Sequence, residues 1–264
     1  MLTVDRASVT FNLGTPLETL ALRELSLTVS TGQFITVIGS NGAGKSTLLN
    51  AIGGNIRLNS GSIIIGDRNV TKWSATERAK LIARVFQNPL LGSCASLTVE
   101  ENLALAARRG RKRGLQFALT KTRRREFRDR LSSLGLGLEN RLGDRMGLLS
   151  GGQRQAVSLL MSALAPTQIL LLDEHTAALD PKTADFVLQL TNTIVRDYQL
   201  TTMMVTHSMN QALMMGDRTI MLHEGRIIFD CAGEMRSGLQ VSDLLEQFNQ
   251  INSETLSDDS LLLG

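Results

Sequence analysis

The feature that most restricts what this chain can fold into is a join: the apolar run Phe34 to Ile38 passes directly into Gly39-Ser40-Asn41-Gly42-Ala43-Gly44-Lys45-Ser46-Thr47. These nine residues fit the pattern GxxxxGK[ST] in the setting it requires, after a strand and before a helix. Glycines let a backbone wrap closely around phosphate oxygens, and the N–H groups at the start of the following helix add donors and a favourable dipole. Lys45 is placed to reach the β- and γ-phosphates of a nucleotide, and Ser46 to offer a hydroxyl to Mg²⁺, which prefers oxygen ligands. A glycine-rich turn with no ligand is the alternative, and the strand-to-helix setting argues against it.

A second strand supplies matching acids. Ile169-Leu170-Leu171-Leu172 ends in Asp173-Glu174, two carboxylates at the carboxyl edge of a sheet, where α/β proteins bind ligands. The two acids need different tasks: Asp173 to hold Mg²⁺ through its water shell, Glu174 to orient or deprotonate the water that attacks the γ-phosphate. Alone, such a pair reads as a solvated turn; beside the phosphate loop it reads as chemistry.

Further short β-type segments, Leu81 to Phe86 and Thr201 to Thr206, are followed by helical spacing of apolar residues. A layered α/β sheet is therefore expected. The first thirty residues, with Ser62 to Ile65, Thr219 to Leu222 and Arg226 to Asp230, read as strands joined by turns, for which an antiparallel β-subdomain flanking the main sheet is the simplest arrangement. Between Asn88 and Leu149 the strand signal disappears, and Thr98 to Arg109 and Thr120 to Leu134 carry strong helix formers. The expected organisation is one domain over 1–250, with a core of 1–87 and 150–235 and a helical subdomain of 88–149. Val241 to Asn249 reads as a short amphipathic helix, and the polar tail over 251–264 is not assigned structure.

A chain of 264 residues with 42% hydrophobic content can bury one sizeable core. Its aliphatic runs fall far short of the about 20 apolar residues a membrane helix needs. The N-terminus lacks the pattern of a secretory signal, so a cytosolic location is expected. Cys94 and Cys231 lie far apart, without metal-ligand companions, and read as reduced structural thiols. Net charge is +3, but eleven of the 28 Lys and Arg residues fall between Arg108 and Arg130, where the only acids are Glu126 and Asp129. That local patch suits phosphates, lipid headgroups or water. Six of the ten methionines lie between Met203 and Met221 and read as core fillers.

Leu149-Ser150-Gly151-Gly152-Gln153 separates this chain from other phosphate-loop proteins. Ser150 is suited to cap a helix beginning near Gly151, and the paired glycines expose N–H groups suited to a γ-phosphate. The pentapeptide resembles the signature of ABC ATPases, and the resemblance runs from about residue 3 to 250. It implies an α/β P-loop ABC ATPase domain with an antiparallel β-subdomain and a helical subdomain inserted after the Q-loop. It also implies a homodimer in which Ser150, Gly151, Gly152 and Gln153 of one chain meet the ATP and Mg²⁺ held by the other. By the same resemblance, Gln87 matches the glutamine that senses Mg²⁺ and the attacking water. Ala178-Leu179-Asp180 matches the loop that crosses the dimer interface, bringing Asp180 to the nucleotide. His207 matches the switch histidine at the γ-phosphate, although a lone histidine is more often structural. Phe11 is a candidate to stack on adenine, where the family usually has tyrosine.

One position departs from the family. After the glutamate a proline is usual, whereas this chain has His175 in EHTAALD; a loop substitution is the plainer reading and a second catalytic histidine the other. The variant is similar to a group of importer ATPases whose partner permeases resemble amino-acid and sugar carriers. The resemblance thus implies ATP hydrolysis driving an importer of small solutes such as amino acids. Its partners would be integral-membrane permease subunits at the cytoplasmic face of the inner membrane and an extracytoplasmic solute-binding protein. The permease is expected in a groove lined by Gln87 to Val99, with Leu90, Leu91 and Leu97 available to it, unless these leucines pack the subdomain's own core. The basic segment is expected to face the membrane or permease, with no specific nucleic acid bound. An ABC exporter subunit, or a soluble ABC ATPase acting on nucleic acid or ribosomes, is the rival; a GTPase or small-molecule kinase would not need LSGGQ.

Overall fold

The computed structural model describes residues 1–111 and 117–249. The tail over 251–264 and residues 112–116 of the basic segment lie outside the described residues. The chain opens with β1 (Leu2–Phe11) and β2 (Thr19–Val29), an antiparallel hairpin registered from Leu2↔Val29 to Phe11↔Thr19. Next come β3 (Phe34–Gly39), α1 (Lys45–Gly53), β4 (Ser60–Ile65), β5 (Arg68–Asn69), α2 (Ala75–Arg78) and β6 (Ile82–Val85). A helical stretch supplies α3 (Val99–Ala107), α4 (Lys121–Ser132) and α5 (Gly151–Ala163). The chain then alternates through β7 (Ile169–Asp173), α6 (Pro181–Asp197), β8 (Thr201–Val205), α7 (Met209–Met214), β9 (Arg218–His223), β10 (Arg226–Ala232) and α8 (Glu234–Ser237). The described residues close with a helix over 241–249, α9.

Two sheets result. One is antiparallel, in the order β2-β1-β4-β5; the other runs β10-β9-β3-β8-β7-β6 and is parallel except for β10. Strands β3, β7 and β8 are buried along nearly all of their length because both faces are covered. Ile35, Val37, Leu171, Met203 and Val205 face α1 and the antiparallel sheet, whereas Phe34, Leu170, Leu172 and Met204 face α5 and α6. Full burial of each such side chain contributes about 1.5–3 kcal/mol relative to exposure. The strand ends therefore stand on a rigid platform.

The expected antiparallel subdomain exists, but Thr219 to Leu222 and Arg226 to Asp230 do not belong to it. β9 lies parallel beside β3, from Ile35↔Arg218 to Gly39↔Leu222, and β10 pairs antiparallel with β9 at the edge of the main sheet. The tight turn at Glu224 and Gly225, with φ of 43° and 77°, made the local hairpin legible. It carries no information about which sheet the hairpin joins. That is decided by long-range contacts such as the buried hydroxyl pair Thr36 Oγ1 and Thr219 Oγ1, 3.0 Å apart.

Helix starts follow the capping residues. Ser74, Thr98 and Ser150 each close a capping box, with Glu77, Glu101 and Gln153, and Thr120 caps α4. The helical stretch has its own apolar cluster, in which Val99, Leu103, Phe127, Leu131, Leu138 and Met146 meet Ala156, Val157 and Leu160 of α5. Since Leu159 of α5 packs into the sheet's cluster, this helix joins the two regions. The far end of α1 is fixed by the buried Arg78, whose Nη1 donates to the carbonyls of Ala51 at 2.6 Å and Ile52 at 2.7 Å. A cation there satisfies carbonyls at the helix end and opposes the helix dipole. No described helix is long and apolar enough to cross a membrane.

Candidate functional site

The loop between β3 and α1 is shaped by three glycines with φ of 145°, 80° and 100° at Gly39, Gly42 and Gly44. A Cβ on Gly39 would sit 2.2 Å from the Leu222 carbonyl oxygen and one on Gly44 2.6 Å from that of Ala21, so the loop is packed tightly against β9 and β2. At Gly42 a Cβ would meet nothing within 4 Å. That side of the loop is open. No side chain caps the start of α1, so Ser46 and Thr47 present their amides at a positive helix end. Lys45 is buried, and its Nζ donates to the carbonyls of Gly39 at 2.7 Å and Ser40 at 2.8 Å. Burial pushes its pKa down, while the negative charge of Glu174 works the other way.

Parallel pairing brings the other groups to the same edge. Asp173 ends β7, next to β8, and Glu174 follows with its N–H donating to Val205 at 3.0 Å. Glu174 has φ of 45°, the left-handed region that is strained for a residue with a Cβ and that concentrates at functional sites. The turn holds its carboxylate Oε1 2.6 Å from Nε2 of His207, just beyond β8; Glu174 is 14% exposed and His207 48%. Asp173 Oδ2 is paired with Arg84 of β6 at 2.6 Å. Gln87, two residues past β6, is exposed. Thus Lys45, Ser46, Asp173, Glu174 and His207 gather at the carboxyl edge of β3, β7 and β8. The oxygen donors Ser46, Asp173 and Gln87 suit a hard cation such as Mg²⁺. No cluster of three His, Cys, Asp or Glu among the described residues competes as a metal site.

Ser150 and Gln153 lie at a separate place, the start of α5. The Ser150 hydroxyl accepts from the Gln153 N–H at 3.2 Å, as the sequence suggested. The glycines also have a packing reason: a Cβ on Gly152 would fall 2.2 Å from Thr183 Cγ2 of α6, and one on Gly151 3.4 Å from Leu179. No hydrogen bond joins Ser150–Gln153 to the phosphate loop among the described residues. Asp180 caps α6 by accepting from the Thr183 N–H at 3.1 Å, and hydrogen bonding by the Thr183 side chain, then by that N–H, lowers its pKa. Phe11 stands 38% exposed at the end of β1, near the exposed Leu13, Leu17 and Leu20.

His175 is turned into the protein, 2% exposed, with Nε2 2.9 Å from Thr191 Oγ1 of α6. Because Thr191 gives its own proton to the Val187 carbonyl at 2.8 Å, the ring must donate to it. Burial depresses its pKa from 6.5 to about 4. His175 therefore anchors the turn to α6 as a neutral, packed side chain.

Between the sheet and the helical stretch runs a groove of about 1180 Å³, lined among others by Phe86, Leu91, Cys94, Asn102 and Leu105. Leu90 and Leu91 are 43% and 70% exposed, so they do not pack a subdomain core. Cys94 is exposed, unlike the buried structural thiol Cys231. Several basic residues are committed internally. Arg109 donates to the Ser162 carbonyl near the end of α5 at 3.0 Å, and Arg124 pairs with Glu100 at 2.8 Å.

Sequence reasoning missed Arg84 and Gln211. The Gln211 Oε1 accepts from Thr206 Oγ1 at 2.8 Å, bracing the residue before His207. Arg84 acts on Asp173, 89 positions away, and nothing local in the chain signals it; Thr206 and Gln211 are five positions apart, joined across the turn from β8 into α7.

The chain is similar to several known proteins. Residues 22–177 match the family model for the ABC transporter. A tyrosine transport ATP-binding protein of Clostridioides difficile is 46% identical over 224 residues, spanning 85% of this chain and 89% of that protein. An energy-coupling factor transporter ATP-binding protein of Clostridium tetani is 32% identical over 234 residues, 88% of this chain and 78% of the relative. The dimeric structure of the ATP-binding cassette MJ0796 bound to ADP and Pi in a post-hydrolysis state aligns with a TM-score of 0.75 at 28% identity, covering 88% of this chain and 98% of that one.

Proposed function

This chain belongs to the ABC transporter ATP-binding family, and from that premise we propose the division of labour at its nucleotide site and the kind of transport it drives. It is an ATP-binding subunit of an ABC transporter and an ATPase. We read its transporter as an importer of a small solute such as an amino acid, the reading favoured by the tyrosine transport relative. The observation that carries the catalytic reading is Glu174, held in a left-handed turn 2.6 Å from His207 and bearing electrostatically on Lys45.

The phosphates of ATP lie on the open side of the loop at Gly42, bonded by the amides of Ser40 to Thr47, with adenine against Phe11. Lys45 exchanges its two loop carbonyls for β- and γ-phosphate oxygens. Ser46, Asp173 and Gln87 would hold Mg²⁺, which would neutralise charge developing on the phosphate oxygens. Glu174 keeps Oε1 on His207 and accepts the proton of the attacking water at its other oxygen. That water's oxygen bonds to the γ-phosphorus as the bond to the ADP oxygen breaks. His207 reaches the γ-phosphate from its exposed side. Because Ser150–Gln153 stand apart from the phosphate loop, a second copy must bring its own signature to each nucleotide, with Asp180 near the crossing.

The permease occupies the groove at Leu91, and the basic residues beside it face the membrane or the permease. A solute-binding protein completes the importer. The exporter and the soluble nucleic-acid ATPase are the competing assignments; the deep groove beside the site favours a docked protein segment.

Glu174→Gln tests the site. It keeps shape and removes the base, so ATP binding persists while turnover falls by about 10²–10⁴-fold. Wild-type turnover in this variant would remove Glu174 from the mechanism.

A further inference from the structure

We propose that Arg84 is a positioning residue for Asp173, fixing the orientation in which that carboxylate meets a divalent cation. The proposal rests on the assignment of Asp173 to Mg²⁺ given above. Arg84 Nη2 donates to Asp173 Oδ2 at 2.6 Å while Nη1 donates to Asn50 Oδ1 at 2.7 Å. Its guanidinium carbon stands over the ring of Phe86, 4.7 Å from the centroid. One planar group thus ties together β6, which leads to Gln87, β7, which ends in Asp173, and α1, which begins beside Ser46. These are the three elements that bring oxygen donors to the cation.

The strand register places Arg84 opposite Leu171, two residues short of Asp173 and on the same side of the sheet, so the guanidinium reaches diagonally across. Both side chains are largely covered, at 12% and 18% exposure. The bond occupies Oδ2 and stops the carboxylate from turning. Oδ1 accepts no hydrogen bond from the described residues and remains for the cation's water shell. Arg84 Nε is buried without a partner. A residue present only for stability would gain by being apolar, since a buried donor left unpaired is destabilising and a covered ion pair is commonly replaceable by hydrophobic side chains. What an apolar residue could not supply is the fixed fork. Lysine could not supply it either, because an ammonium is a point donor and cannot span two acceptors in one plane. Side chains that orient a metal-binding carboxylate typically change metal affinity by about 10–100-fold when removed.

The experiment is binding of a fluorescent ATP analogue by the full chain, titrated with Mg²⁺ at fixed nucleotide and repeated in EDTA. Arg84→Met is expected to raise the Mg²⁺ concentration at half-effect by about 10–100-fold, with cation-free nucleotide affinity unchanged. Arg84→Lys keeps the charge and is expected to show the same shift. Asn50→Ala removes the second anchor, should move the requirement the same way by a smaller factor, and gives the answer if Arg84→Met does not fold. An unchanged or lower Mg²⁺ requirement in Arg84→Met, or in Asn50→Ala should the first not fold, overturns the proposal. So does an equal loss of affinity with and without Mg²⁺, which a merely structural role would give. Asp173→Asn is measured alongside. If it leaves the Mg²⁺ requirement unmoved, the assignment of Asp173 falls and the proposal with it; if it shifts while Arg84→Met does not, the role of Arg84 alone falls.

Discussion

His175, buried against α6, should make the fold sensitive to mild acid. It is 2% exposed and its hydrogen-bonding partner among the described residues is neutral, so protonation in place is disfavoured and its pKa falls from 6.5 to about 4. In the unfolded chain the ring titrates near the ordinary value. Between those two values the unfolded state binds a proton that the folded state does not, and stability rises with pH. The contribution is therefore whole above about pH 6.5 and is lost as pH falls toward 4. At 1.36 kcal/mol per unit, the loss is about 2 kcal/mol at pH 5 and about 3 kcal/mol at pH 4. His175→Leu removes the titration while Thr191 keeps its bond to Val187. Urea unfolding of both proteins without nucleotide, at pH 7.5 and 5.0, should show the wild type losing about 2 kcal/mol more than the variant over that interval. Equal losses in the two proteins would refute the reasoning and mean that the ring is hydrated or paired in the folded state.

Two other substitutions read the packing and the groove. Gly152→Ala places a methyl 2.2 Å from Thr183 Cγ2, and overpacking of this kind destabilises by about 1–3 kcal/mol. Thermal unfolding should register the drop, and Thr183→Ala in the same chain should reverse it; no drop, or no reversal, would contradict the close approach of α5 and α6. Leu91→Asp, at a position 70% exposed in the groove, should leave the isolated chain folded and binding ATP. It should abolish copurification with the permease, since a charge in a dry apolar contact costs several kcal/mol. Normal assembly would move the docking surface elsewhere.

The parts of this molecule legible in the sequence are those whose causes are local. The glycine loop and the acids after β7 are recognisable from adjacent residues alone, and the capping residues Ser74, Thr98, Thr120 and Ser150 each accept from an N–H three positions on. The strand pair over Arg218–His223 and Arg226–Ala232 was legible as a hairpin, but its sheet depends on packing against β3, some 180 residues earlier. The arginines show the same limit. Arg78, Arg84 and Arg109 look like surface charge in the chain, yet Arg78 and Arg109 satisfy helix-end carbonyls and Arg84 reaches an aspartate 89 positions away. A basic run consequently overstates the charge available to a partner. Gly152 was read for its amide, and only the fold shows that its missing Cβ also makes room for Thr183.

The claim that each nucleotide is served by two chains is tested most directly by mixing a chain carrying Lys45→Ala with one carrying Ser150→Arg under conditions of proven subunit exchange. Each mutant alone should hydrolyse almost no ATP, because every site in its dimer lacks either the loop lysine or the signature. In the mixture, half of the dimers formed at random carry both chains and one of their two sites is intact, so turnover should recover to about a quarter of wild type. Turnover no greater than the summed residual activities of the two mutants would contradict the shared site.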